Sequence, residues 1–181
     1  MVTEVCREYH LPLVLTFVDY KKAFDSVETN AILSACSTSV QLFRHPINIL
    51  IEKGVRRGDT ISPKLFPAAL QWVMKSLDWD EKGMRVDGKF LLNLRFFVIF
   101  AKNTTEAETM LRELDEAGRK IGLRINRKKT PFMKNSFCDG GHIELDGSPI
   151  AETKSYAYLG RSMNMDNDMK EELIRRRRAA W

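Results

Sequence analysis

The chain has 181 residues, 44% hydrophobic and 29% charged. That length holds one ordinary domain and part of another, and the apolar fraction excludes a disordered polymer. The formal net charge of +5 and pI of about 9.2 are compatible with a polyanionic partner without requiring one. No segment approaches the length of a bilayer span, so no membrane partner is expected. Leu11–Val18 is short, contains Pro12 and follows Glu4 and Glu8, which makes it a poor signal peptide. Three cysteines, Cys6, Cys36 and Cys138, lack paired spacing and point to a reduced, intracellular protein. Cys138 and His142 are half of a metal motif without a second pair, so no zinc is expected.

Taken in chain order, the first clear element is Leu13 to Val18, a run apolar but for Thr16 that stops at Asp19. Such a run reads as a short buried strand. A carboxylate where it ends is held at a fixed point of the sheet edge, which suits a hard cation such as Mg²⁺. The bland alternative is a strand followed by a solvated turn. Asp25 or Ser26 is placed to cap a short helix through Ile32 and Ala35. Ser37 to Ile51 reads as two short strands or a hairpin, and Gly54 to Gly58 as a loop.

Ser62 followed by Pro63 reads as an N-cap and first helical residue. The stripe Leu65, Phe66, Ala69, Leu70, Val73, Met74 and Leu77 then has helical spacing. Pro67 lies in the early turns and costs about 3 kcal/mol unless the helix starts there. Asp87-Gly88 marks a two-residue hairpin between Met84–Val86 and Lys89–Leu92. Leu94 to Ala101 is a second apolar strand. Asn103 to Thr105 cap the next helix, with Thr105 and Glu108 in capping-box spacing. Its stripe is Ala107, Met110, Leu111, Leu114, Ala117 and Ile121, and Gly122 stops it. Leu123–Ile125, Thr130–Met133 and Tyr156–Leu159 read as strands, and Asp146-Gly147 as a hairpin turn. The chain closes with an amphipathic basic helix, Met169 to Trp181. The irregular alternation of strands and helices, with tight hairpins, predicts an α+β fold, an antiparallel sheet with helices on one face.

Four motifs stand in order: FVDYKKAFD, GVRRGDTISPKLF, GLRINRKKT and YLG. The series resembles the palm of a reverse transcriptase, that of a non-LTR retrotransposon, and the likeness runs from Leu13 to the end. It implies an RNA-directed DNA polymerase by family, with Mg²⁺ as cofactor and an RNA template and DNA primer as partners. By this resemblance Asp19 is the first metal-binding catalytic aspartate, and Tyr20 offers its backbone carbonyl to the second metal. Phe24 packs beneath the sugar of the incoming nucleotide; the alternative is ordinary core packing. Arg57 and Gly58 belong to the loop that holds template and nucleotide. Lys129, in the Asn126–Thr130 turn, is the lysine near the leaving pyrophosphate, against the alternative of a solvated lysine. Tyr158, Leu159 and Gly160 form the hairpin that grips the primer. The resemblance divides the chain into a partial palm, 1–160, and the start of a basic helical thumb or connection, 161–181, with fingers and thumb largely missing.

One block departs from the family. The pattern LRFADDIVLFA is replaced by LRFFVIFA, from Leu94 to Ala101, and the following KNTTEAETML is as expected. The Ala-Asp-Asp is gone, and no acid occurs between Asp87 and Glu106. Phosphoryl transfer of this kind uses two cations about 3.5–4 Å apart, and Asp19 alone supplies one carboxylate for both. Mg²⁺ binding is therefore expected to be impaired. Arg57 stands where the family has glutamine, and the Ala35–Gln41 stretch is shorter than usual. The pattern is that of a degraded or truncated copy, expected to be catalytically inactive. The competing readings are a non-catalytic basic nucleic-acid-binding fragment, supported by Arg56, Arg57, Arg124, Arg127, Lys128, Lys129 and Arg175–Arg178, and a non-functional pseudogene product.

Overall fold

The structure is a computed structural model, and it describes residues 2–22, 26, 62–77, 79, 82–83, 85–86, 89–90, 97–158 and 160–179. The expected elements at 27–61, with Arg56, Arg57 and Gly58, lie outside the described residues, as do Phe24, Asp25 and Leu159.

The centre is strand β1 (Val14–Val18), whose five residues are all buried. It pairs antiparallel with β4 (Phe97–Ala101) on one side and β5 (Phe132–Lys134) on the other, giving the order β4-β1-β5. The β4 register runs from Val14↔Ala101 to Val18↔Phe97, and the β5 register from Val14↔Lys134 to Thr16↔Phe132. A strand covered on both faces has no need of alternation, which is why β1 is apolar at every position but Thr16.

Its two faces meet different partners. Val14 and Val18, with Ile99, Ala101 and Phe132, face helix α2 (Ser62–Lys75) and helix α3 (Thr104–Arg119). The helices contribute Ala69, Leu70 and Val73, and Ala107, Met110, Leu111, Leu114 and Ala117. Leu15 and Phe17, with Val98 and Met133, face the hairpin of β8 (Ser155–Tyr158) and β9 (Arg161–Asn164) and Cys6 of helix α1 (Val2–Glu8). The mixed α+β architecture agrees with expectation, with α2 and α3 sharing one face of the sheet. The opposite face is not open; aromatic and methionine side chains of the hairpin cover it.

Local chemistry explains most boundaries. The α3 stripe is buried as its spacing predicts, and Gly122, at φ 79°, follows it in the left-handed region that glycine adopts freely. The N-cap is Asn103, the first of the expected cap residues, and the Thr105–Glu108 spacing is not used as a box. Asn103 accepts from the Glu106 amide at 2.7 Å, and Glu106 accepts from the Lys102 amide at 2.7 Å. Glu106 thus reaches back to the residue before Asn103 and not to Asn103 itself, while Glu108 accepts from the Glu144 amide at 2.9 Å. Asn103 wins because an asparagine is at least as good a cap as threonine. Ser62 already belongs to α2, and that helix runs unbroken through Pro67. Ser26 donates its hydroxyl back to the Lys21 and Lys22 carbonyls instead of capping a helix start.

Two hairpins stand where the sequence expects them, and the turn residues of the second are described. Strands β2 (Arg85–Val86) and β3 (Lys89–Phe90) pair with Val86 opposite Lys89. Strands β6 (Glu144–Leu145) and β7 (Ser148–Pro149) turn at Asp146 and Gly147, both at positive φ, 53° and 67°. Leu123–Ile125 is not a full strand: only Ile125 makes a bridge, to Tyr20. The C-terminal helix α4 (Lys170–Ala179) is not amphipathic in the expected way. Its one buried residue is Glu172, and Leu173 and Ile174 are exposed. The division expected after residue 160 falls at the tip of the β8–β9 hairpin, and α4 packs back onto β9. No helix among the described residues is long and apolar enough to cross a membrane.

Leu114 is fully buried between helix and sheet, whereas Leu173 is 62% exposed. Leu114→Ala is expected to cost about 2–5 kcal/mol from lost transfer energy and the cavity left behind, and Leu173→Ala less than about 0.5 kcal/mol. Urea unfolding followed by circular dichroism checks both.

Candidate functional site

Asp19 follows the last residue of β1 and is held there by its backbone. Its amide donates to the Thr130 hydroxyl at 3.1 Å, and its carbonyl accepts from the Asn126 amide at 2.7 Å. Lys21 donates to the Arg124 carbonyl at 2.9 Å, and Tyr20 bridges Ile125 between these two bonds. The expected turn is present as one 3₁₀ turn, Arg127–Lys129, flanked by Asn126 and Thr130. The turn therefore grips the end of β1 from Asp19 to Lys21, and the Asp19 carboxylate emerges half-buried beside it. The Asn126 side-chain amide completes the contact, donating from Nδ2 to Asp19 Oδ2 at 3.2 Å.

The grip depends on Asp115 of α3. Its carboxylate is 4% exposed; Oδ1 accepts from the Ile125 amide at 3.0 Å and Oδ2 from Arg119 Nε at 2.7 Å. A buried carboxylate is tolerated only when its lone pairs are used in this way. It pins the segment leading into the Asn126 turn. The Tyr20 ring lies against the same helix, near Gly118, with its hydroxyl buried. Burial, followed by the charge of Asp115, holds its phenol above the ordinary value. The Tyr20 side chain is thus a core component.

The other predicted positions fall around this point. Lys128 and Lys129 are exposed on the turn. Arg127 instead reaches the second hairpin, donating to Ser148 Oγ at 2.8 Å and to the Leu145 carbonyl. Tyr158 ends β8, and Gly160 turns the hairpin at φ 77°. Tyr158 lies 6.0 Å from Phe17, ring to ring, and Tyr156 stacks on Phe17 at 4.2 Å. Burial, then the negative charge of Asp19, raises the Tyr156 phenol above its ordinary value. The hairpin is thereby anchored under β1, on the side of the sheet opposite the helices.

The outer side of the hairpin is tied to α4. Glu172 accepts from the Ser162 amide at 2.7 Å and from Arg175 and Arg176, and Arg175 also donates to the Gly160 carbonyl. The Ser162 amide foremost, then the two guanidiniums, push the Glu172 carboxyl down to about 2.

Sequence reasoning missed Asn126, Thr130, Asp115 and Tyr156 as parts of this site. Asn126 lay in the motif that marked the turn, and an asparagine before a short turn is a signal for a local side-chain contact. Nothing in the sequence pairs Asp115 with Ile125.

The described residues do not fit a two-cation centre. No three of His, Cys, Asp or Glu come together among them, and the side chain against Asp19 is an amide. Strand β4, which lies beside β1, is Phe-Val-Ile-Phe-Ala.

An α+β domain with an acid at the end of a doubly paired central strand, gripped by a basic turn, is the frame on which comparison with known proteins bears. The family model for reverse transcriptase (RNA-dependent DNA polymerase) matches residues 3–163. The chain belongs to that family. It is 41% identical over 106 residues to a transposon-derived protein of Caenorhabditis elegans, F52C9.6, covering 54% of this chain and 38% of that one. Among solved structures it is similar in fold to apo telomerase from Candida tropicalis truncated from its C-terminal domain. The TM-score is 0.52 at 14% identity, over 91% of this chain and 36% of the other. The chain thus spans little more than a third of either relative.

Because the Glu172 carboxyl is lowered on folding, its contribution is fully present above the ordinary carboxylate range and is lost as pH falls toward about 2. The α4–hairpin contact is expected to hold at pH 6 and loosen between about pH 5 and pH 2. Hydrogen exchange at the Ser162 amide should accelerate beyond the intrinsic pH trend over that window in the wild type, and Glu172→Gln should remove the pH dependence.

Proposed function

We propose that this chain is a reverse-transcriptase module of transposon origin that binds nucleic acid but does not extend a primer. One observation carries the reading: the Asp19 carboxylate meets an amide, and β4 beside it brings no acid. In a working polymerase of this family, Mg²⁺ would neutralise the charge developing on the triphosphate. Asp19 with the carbonyl of Tyr20 is too small a donor set to hold two such ions close together. The residues that remain suit binding. Lys128, Lys129 and Arg124 are exposed around the Asn126 turn, and Arg177 and Arg178 are exposed on α4. On this reading Lys129 contacts phosphate as one cation among several. Tyr158 and Gly160, with Leu159, hold a strand end at the hairpin, and Phe24, Arg57 and Gly58 belong to the nucleotide side. Phosphate contacts of this kind position a strand without reading its sequence.

Primer extension on an RNA template, with Mg²⁺ or Mn²⁺, is expected to yield no product. Template-dependent product that Asp19→Ala abolishes would overturn the claim. Nucleic-acid affinity, measured by filter binding, should fall linearly in a log–log plot against salt, at about 0.7–0.9 per phosphate contacted. A flat salt response would count against binding through the backbone.

A further inference from the structure

The Asn126 turn carries consecutive cations, and the structure divides them. Lys128 and Lys129 are exposed and make no hydrogen bond or ion pair with the described residues. Arg127 is half-buried. Its Nη1 donates to Ser148 Oγ at 2.8 Å and, more loosely, to the Leu145 carbonyl at 3.4 Å. Leu145 and Ser148 face each other across the β6–β7 hairpin, on either side of its Asp146-Gly147 turn. One guanidinium therefore ties the basic turn to both strands of a hairpin.

The bonds to β1 serve only the ends of the turn. The Asn126 amide donates to the Asp19 carbonyl at 2.7 Å, and the Thr130 hydroxyl accepts from the Asp19 amide at 3.1 Å. Between them the tip closes on itself. The Lys129 amide donates to the Asn126 carbonyl at 2.9 Å, and the Thr130 amide to the Arg127 carbonyl at 3.4 Å, longer than usual. A single 3₁₀ turn has poorer hydrogen-bond geometry than an α-helix, so an outside tie narrows its shapes. Among the described residues, Arg127 is the only side chain of the tip that reaches another element.

The far end of the tie is itself anchored. Ile143, Leu145 and Ile150 are buried in the core beside α3. Asp146 Oδ2 accepts from Arg119 of α3, and Arg119 Nε donates to Asp115 Oδ2 at 2.7 Å. Asp115 Oδ1 in turn accepts from the Ile125 amide at 3.0 Å. The contacts close a circuit. It runs from Ile125 through the turn to Arg127, across to Ser148, around the hairpin to Asp146, and back through Arg119 and Asp115.

We propose that Arg127 is a positioning residue for nucleic-acid binding: through Ser148 it holds the tip of the turn so that Lys128 and Lys129 meet the phosphate backbone together. The inference rests on the reading of this turn as a phosphate-binding surface. Binding costs the freedom of the groups it orders, and a tip already held loses less. Arg127 keeps its positive charge, which adds to the field of the lysines, but its main effect is the tie.

The test is filter binding of a mixed-sequence single-stranded RNA oligonucleotide to the full chain across a salt series, below the melting temperature of each variant. Lys128→Ala and Lys129→Ala should each flatten the log–log salt slope by about 0.7, as for one phosphate contact on a single strand. Ser148→Ala changes no charge and leaves the Leu145 contact. It should weaken binding about two- to fivefold with the slope unchanged. Arg127→Ala should weaken binding at least as much, with a smaller change of slope than either lysine variant. Arg127→Ala combined with Ser148→Ala should bind as Arg127→Ala does, because both remove the same contact. Hydrogen exchange at the Lys129 amide should be faster in Ser148→Ala and in Arg127→Ala.

Wild-type affinity in Ser148→Ala overturns the proposal, even where the Lys129 amide exchanges faster, since the tie then serves the fold alone. A slope change in Arg127→Ala equal to that in Lys129→Ala also overturns it, because Arg127 is then a phosphate contact itself. A flat salt response in the wild type refutes the phosphate-binding reading, and the proposal falls with it. Salt-dependent binding by the wild type beside either of the first two results refutes the role of Arg127 alone.

Discussion

Strand β1 is buried on both faces and paired on both edges, and the described elements that pack against it are arranged around that condition. Its backbone groups bond to β4 and β5, so no unpaired edge remains where water is excluded. Its side chains alternate between two partners: Val14 and Val18 toward the helices, Leu15 and Phe17 toward the hairpin. Both halves of the core take alternate residues from the strand.

The site is a by-product of ending such a strand. Where β1 leaves the core, the chain must hand its last hydrogen bonds to another segment, and the Asn126–Thr130 turn accepts them. That turn is in turn secured to α3 by the buried Asp115, whose two oxygens serve Ile125 and Arg119. A carboxylate at position 19 is thereby placed with little freedom. Such placement is what catalysis requires, and it survives in this chain irrespective of whether the chemistry does.

Membership of the reverse-transcriptase family fixes the ancestry of the frame, while the chemistry depends on which donors stand around Asp19. An amide at 3.2 Å and an apolar β4 describe an acid used as a hydrogen-bond acceptor. The strand end, the turn and the aromatic hairpin keep their mutual geometry because they are parts of the core. The acids of a metal site contribute little to packing, so a fold can outlast their loss. Of the basic residues, Arg127, Arg175 and Arg176 are tied into the fold by hydrogen bonds, while Arg124, Lys128, Lys129, Arg177 and Arg178 are exposed.

The sequence by itself determined the family, the buried strand, the α3 stripe and the Asp146-Gly147 hairpin. These are local properties, set by periodicity and by residues such as Gly122 and Asp146-Gly147 whose backbone preferences act within a few positions. It also placed Asp19 at a strand end and showed that β4 carries no acid. What only the tertiary structure decided lies at long separations: that Asp115 serves Ile125, that Tyr156 stacks on Phe17, that Glu172 and not an apolar residue is the buried member of α4, and that Asn126 faces Asp19. A hydrogen bond between residues 107 positions apart leaves no periodic trace. Asparagine in a turn and aspartate at a strand end are each sensible on their own, and only the locked backbone between them makes the pair.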